Sequence, residues 1–185
     1  MSDKNKLVFV VGSLRKGSFN RVLAESAREA IGDRADVKFL DYADVPFMNQ
    51  DIEFPAPASV ARVRETVMDA DGVWVFTPEY NFSFPAPVKN LFDWLSRPVA
   101  AGDNETPRPL AGKPVTVSGV GGRNATAGVR RVFKPYLSYL KAKVVGGEGE
   151  GFVLPAECWG GAPYVVSLED KARLGKQADE LLAAL

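Results

Sequence analysis

Histidine is absent from these 185 residues, and cysteine occurs once, as Cys158. Without imidazole there is no Ser-His-Asp triad, no histidine general base and no histidine-rich zinc site. A lone cysteine forms no intrachain disulfide, which fits a reducing compartment and an expected cytoplasmic location. An excess of charge is missing too, since 23 Lys and Arg balance 23 Asp and Glu. That balance argues against nucleic acid, or an anionic membrane, as a partner chosen by bulk charge. The first apolar run, residues 7–11, is five residues long and follows a polar lead over residues 1–6. It is too short for a signal-peptide core or a membrane span. An enzyme so poor in reactive side chains would carry its chemistry on something bound.

What is present is the pattern of one α/β domain spanning residues 1–185, a length close to the usual size of a single domain. Short β-branched runs alternate with helical periods. Strands are expected at 7–11, 37–40, 72–77 and 115–117, with a fifth strand region from 144–145 and 152–154. Between them, Leu23, Ala27, Ala30 and Ile31 keep helical spacing, as do Val60, Val63 and Val67, and Val88, Leu91, Phe92 and Leu95. A fourth helix carries Val129, Phe133 and Leu137 with Pro135 inside it, and a last one carries Ala178, Leu181 and Leu182. Such alternation predicts a doubly wound sandwich, a five-stranded parallel sheet with helices on both faces. Ligands of such sheets sit beyond the carboxyl ends of the strands.

Three loops fall at that edge. The first, residues 12–20, reads Gly-Ser-Leu-Arg-Lys-Gly-Ser-Phe-Asn, which is neither GxGxxG nor a Walker A loop. Gly12 and Gly17 permit a tight turn, Ser13, Ser18 and Asn20 supply polar groups, and Arg15 supplies charge. With the helix N-terminus behind them, these residues suit a terminal phosphate. A plain helix cap explains Ser18 or Asn20, but not Arg15 as well. The second loop, 77–87, has three prolines and offers Tyr80, Phe82 and Phe84 to a planar ring. A helix entry with buried aromatics explains it equally well. The third, 118–125, has glycines at 119, 121 and 122, and taken alone is an ordinary glycine-rich turn.

The run at 12–20, together with Pro-Glu-Tyr-Asn-Phe-Ser-Phe-Pro-Ala-Pro-Val-Lys-Asn-Leu-Phe-Asp-Trp-Leu-Ser-Arg at 78–97, resembles the NADPH-dependent FMN reductase family, which includes bacterial quinone and chromate reductases. The resemblance runs from about residue 6 to 140. It implies a flavodoxin-like fold and FMN as cofactor, with NADPH or NADH as reductant. It further implies that Ser13, Arg15, Ser18 and Asn20 hold the FMN phosphate with Phe19 beside them. Pro78, Glu79, Tyr80 and Asn81 would line the isoalloxazine, and Ser118, Gly119, Gly121 and Gly122 would approach its pyrimidine side. No metal site and no protein nucleophile are expected.

The activity this implies is ping-pong hydride transfer from NAD(P)H to a small-molecule acceptor: a quinone, a free flavin, an azo dye or chromate. A one-electron carrier and a regulatory protein with little turnover are the alternatives. Balanced charge and Arg15 count against the carrier. The resemblance also implies a homodimer or homotetramer. The apolar residues Phe47, Met48, Ile52 and Phe54, with Phe92 and Trp94, are the expected contact surface. The stretch at 146–163, including Cys158, matches no pattern with an assigned role, and Cys158 is expected to be a small buried hydrophobe.

Overall fold

The run at 7–11 is continuous in apolar residues because both of its faces are covered, and the two faces feed two separate cores. In the computed structural model, which describes residues 4–185, this run lies in β1 (Asn5–Val11). Residues 1–3 of the polar lead lie outside the described residues. The chain continues through α1 (Phe19–Ile31), β2 (Ala35–Phe39), α2 (Ala58–Asp69), β3 (Gly72–Phe76) and α3 (Ala86–Leu95). It then forms β4 (Pro114–Gly121), α4 (Ala127–Tyr139), β5 (Lys143–Val144), β6 (Glu150–Val153), α5 (Ala156–Trp159) and α6 (Leu168–Leu182). Every strand pairing is parallel, in the order β2-β1-β3-β4-β5 with β6 also on β4. This is the doubly wound, flavodoxin-like order.

Leu7, Phe9 and Val11 face α1 and α6 together with Trp74 and Phe76. Val8, Val10, Val73 and Val75 face the opposite way, against side chains of α2, α3 and α4. Alternation along each strand thus buries both sides of the sheet.

The expected fifth strand is two short strands in one rank. β5 pairs with Pro114 and Val115, and β6 pairs with residues 118–121. Gln177 of α6 fills the gap between them. Its amide nitrogen donates to Thr116 Oγ1 at 2.7 Å and to the Val117 carbonyl at 2.9 Å. Its oxygen accepts from Ser118 Oγ at 2.6 Å, and Ser118 in turn accepts from Trp74 Nε1 at 3.0 Å. All of these groups are buried, so the network satisfies polar atoms that would otherwise be costly.

The segment at 41–57 is bolted to its own chain by α3. Asn90 donates to the Pro46 carbonyl at 2.9 Å and accepts the Met48 N–H at 2.7 Å, and Trp94 Nε1 donates to the same carbonyl at 2.8 Å. Phe92 and Trp94 are fully buried in this fold, which removes them from the expected contact surface. Glu53 accepts two bonds from Arg97, at 2.7 and 3.0 Å. That paired guanidinium, acting against burial, holds the Glu53 carboxyl below the usual carboxylate range.

Candidate functional site

β1 leads the chain toward β2 on one side of the sheet and β3 leads it toward β4 on the other, so their loops part at the carboxyl edge. A crevice opens there. It is a cavity of about 560 Å³, within the usual range for small-molecule sites.

The loop after β1 needs glycine at its start. Gly12 N–H donates to the Phe76 carbonyl at 2.7 Å, and a Cβ there would meet Val88 at 2.8 Å. Ser18 caps α1 by accepting the Arg21 N–H at 3.3 Å, which leaves its hydroxyl proton free to donate. Ser13 makes no side-chain hydrogen bond, and Arg15 makes no ion pair; its guanidinium lies 4.7 Å over the Phe19 ring. Asn20 is turned inward: its amide donates to the Val120 carbonyl at 3.2 Å and accepts the Val120 N–H at 3.0 Å. It ties the start of α1 to the end of β4, as a strand would.

After β3 the chain makes a two-residue hairpin. Tyr80 and Ser83 exchange backbone bonds of 3.2 and 3.0 Å, with Asn81 and Phe82 both left-handed at φ 53° and 59°. Such a turn favours Asn and Gly; a left-handed phenylalanine is strained. Glu79 reaches across to the third loop. One oxygen accepts the Val129 N–H at 2.8 Å and the other accepts from Asn124. Since Thr126, the residue before α4, gives no side-chain cap, Glu79 caps that helix from another loop.

Of the residues expected at the site, Ser13, Arg15, Ser18, Phe19, Asn20, Pro78, Glu79, Tyr80, Gly121 and Gly122 all line the cavity. Asn81, Ser118 and Gly119 do not. Asn81 sits at the exposed hairpin tip. The Ser118 hydroxyl is occupied by the Gln177 network in the core. Gly119 is packed so closely that a Cβ would collide with Thr126 and the Thr77 carbonyl. The glycines that open the wall are Gly121 and Gly122, and a Cβ on Gly122 would meet nothing within 4 Å.

The cavity also takes Val120, Asn124, Leu154, Cys158, Trp159 and Gly161, four of them from the stretch the sequence left without a role. Trp159 is 67% exposed on α5, whereas the Cys158 thiol is buried, 3.7 Å from the Pro163 carbonyl. Tyr164 packs edge-on to Phe19 behind this wall, and burial raises its phenol above the usual value. Arg130 holds the β5–β6 connection by donating to the Gly149 carbonyl at 2.8 Å; burial lowers its guanidinium from the usual value.

The donor set suits FMN. The loop after β1 offers Ser13, Ser18, Arg15 and the free N–H groups that open α1. The loops after β3 and β4 offer flat surfaces at Pro78 and Tyr80 and the backbone at Gly121 and Gly122. The single carboxylate in the lining, Glu79, is already engaged by Asn124 and Val129. Among the described residues no cluster of His, Cys, Asp or Glu could hold a metal.

Fold and cavity together define a doubly wound protein with a crevice at the switch point whose lining suits a phosphorylated, ring-bearing ligand. Residues 5–149 match the family described as NADPH-dependent FMN reductase, and the chain belongs to that family. It is 42% identical over 120 residues to a quinone reductase of Escherichia coli, a match covering 63% of this chain and 60% of that protein's length. It is 33% identical over 142 residues to an NAD(P)H-dependent FMN reductase of Pseudomonas aeruginosa, covering 76% and 73% of the two chains. The structure of FerB, a flavoenzyme NAD(P)H:(acceptor) oxidoreductase from Paracoccus denitrificans, superposes with a TM-score of 0.83 at 28% identity, covering 97% and 96% of the chains.

Proposed function

We propose that this protein is an FMN-dependent oxidoreductase that uses NAD(P)H to reduce a small-molecule acceptor, a quinone in the first place. The observation that carries the reading is that loops of different chemistry line one cavity. Unpaired Ser13 and Arg15 come from the loop after β1, exposed Tyr80 comes from the loop after β3, and Gly121 and Gly122 come from the end of β4.

Ser13, Ser18 and Arg15 bind the phosphate, aided by the N–H groups opening α1. Asn20 acts indirectly, by fixing that helix start against β4. Pro78 and Tyr80 support one side of the ring, and the backbone at Gly121 and Gly122 approaches its edge. Glu79 fixes the two loops relative to each other. Tyr80 and Trp159, both exposed at the mouth, give a planar acceptor something to stack on. The bound flavin supplies hydride exchange, so that NAD(P)H, a proton and a quinone become NAD(P)+ and a hydroquinone. The protein supplies position and electrostatics, consistent with the missing histidine. Free flavins, azo dyes and chromate are further acceptors for the same open site.

The chain works as a homodimer or homotetramer. Phe47, 82% exposed, and Ile52 and Phe54, exposed on the same segment, supply the apolar surface that supports this. The single free thiol suits the reducing cytoplasm, and balanced charge suits small-molecule partners over nucleic acid. No helix among the described residues is long and apolar enough to cross a membrane.

Steady-state NADPH oxidation by the FMN-loaded protein, with and without a benzoquinone, tests the function. Quinone-dependent turnover supports it, and a bound flavin without turnover contradicts it. Light scattering tests the assembly, and a one-chain mass with turnover intact contradicts it.

A further inference from the structure

A second cavity, of about 460 Å³, lies on the far side of the loop after β1, over the carboxyl end of β2. Ser13 and Arg15 form the wall between the two cavities and line both. Lys16, Arg21, Phe39 and Asp41 line the second alone. The proposed function gives this cavity no role.

Its charge is lopsided. Among the described residues, Asp41 is the only acid in a lining that holds Arg15, Lys16 and Arg21, and none of the three cations makes an ion pair. Several other arginines of the surface are paired: Arg28 with Glu25 at 2.7 Å, Arg34 with Asp179 at 2.6 Å, Arg62 with Asp44 at 2.5 Å. Arg21 is nonetheless held in place, its guanidinium 4.1 Å above the Phe39 ring. A guanidinium held over a ring keeps N–H groups for a ligand.

We propose that this cavity binds the adenosine 2′-phosphate end of NADPH, with Lys16 and Arg21 reading the phosphate, and that it gives the enzyme a preference for NADPH over NADH. The inference rests on the reading of the neighbouring cavity as the FMN site. A phosphate monoester carries close to two charges at neutral pH, which suits two unpaired cations beyond Arg15. The AMP half of FAD would bring only a singly charged diester, and that charge would sit at the wall already occupied by Arg15. Adenine then has Arg21 to stack on. NADH carries no group that Lys16 and Arg21 would recognise.

Two measurements on the FMN-loaded protein test this. Calorimetric titration with 2′,5′-ADP and with 5′-ADP reads the subsite without turnover. Wild type should bind 2′,5′-ADP more tightly, and K16Q/R21Q should lose that difference, weakening 2′,5′-ADP by about tenfold or more. Steady-state kinetics should show KM for NADPH rising by a similar factor, with kcat and the NADH parameters held within about twofold. Equal binding of the two diphosphates by wild type, or an unchanged NADPH-to-NADH ratio in an active K16Q/R21Q, overturns the proposal. So does a variant whose only loss is affinity for FAD, which would assign the cavity to an adenylate joined to the flavin. Selective binding of 2′,5′-ADP through Lys16 and Arg21 by a protein with no reductase activity would support the subsite while refuting the proposed function.

Discussion

Glu79 accepts the backbone N–H of Val129 at 2.8 Å, across fifty positions of sequence, and in doing so caps α4 from a different loop. Its other oxygen takes Asn124. The loops after β3 and β4 therefore move as one body, although each contains two consecutive left-handed residues that are not glycine: Asn81 with Phe82, and Ala125 with Thr126. Strained turns of this kind persist only where surrounding contacts hold them.

Removing that link should cost both stability and cofactor. Glu79→Ala is expected to lower unfolding free energy by about 1–2 kcal/mol, the scale of a lost helix cap, and to weaken FMN binding. Glu79→Gln keeps an acceptor for Val129 and should recover most of both. Urea denaturation and flavin fluorescence titration read the two effects. Equal losses in Ala and Gln would show that charge, not the cap, is what matters.

Arg15→Ala should weaken FMN binding by about 1.5–3 kcal/mol, the range for hydrogen bonds to charged groups. Riboflavin, which lacks the phosphate, should bind the variant and wild type alike. A parallel loss for riboflavin would move Arg15 away from the phosphate.

Ser118 and Gln177 belong to the core network and not to the ligand. Gln177→Leu is expected to destabilise by about 2–4 kcal/mol, because it strands the Val117 carbonyl and leaves Thr116 and Ser118 short of partners. Ser118→Ala should cost less, and its FMN affinity should stay within about twofold of wild type. An FMN defect in Ser118→Ala without lost stability would return Ser118 to the site.

The parallel sheet and the polar loop after β1 were legible in the sequence because they depend on local pattern: continuous apolar strands, helical spacing, and a turn rich in polar groups. The loops after β3 and β4 took their expected role from the family resemblance alone. The use of individual polar groups was not. Asn20 and Ser118 look like ligand donors from their neighbours alone, and their true partners, Val120 and Gln177, lie 100 and 59 positions away. The split of the outer strand depends on the same Gln177, a polar residue at a core-facing position of α6. Trp159 was missed because a short helix of four residues leaves no period to read. The run Cys158-Trp159-Gly160-Gly161, placed after the last strand, was the available signal.

Trp159 should act at the acceptor step. Trp159→Ala is expected to raise KM for a quinone about threefold to tenfold, the scale of an aromatic stacking contact, while FMN affinity is retained. Loss of FMN with KM unchanged would make Trp159 part of the cofactor wall instead.

The Glu53–Arg97 pair predicts an acid-sensitive component of stability. Glu53 is held below its unfolded value of about 4.3, so its contribution is complete above that pH and is lost as pH falls through the lower, folded value. Arg64, buried against the same carboxylate, adds to the need for its charge. Wild type should therefore exceed E53Q in urea midpoint near neutral pH, and the gap should narrow on acidification. A gap that stays constant would assign the difference to packing.

The most direct test of the central claim is anaerobic and uses one cuvette. The FMN-loaded protein is mixed with one equivalent of NADPH while the visible flavin band is followed, and a benzoquinone is then added. The account predicts bleaching of the band by NADPH alone and its return on addition of quinone, with hydroquinone formed in equal amount. A bound flavin that NADPH leaves oxidised, or that bleaches and is not restored by quinone, would contradict it.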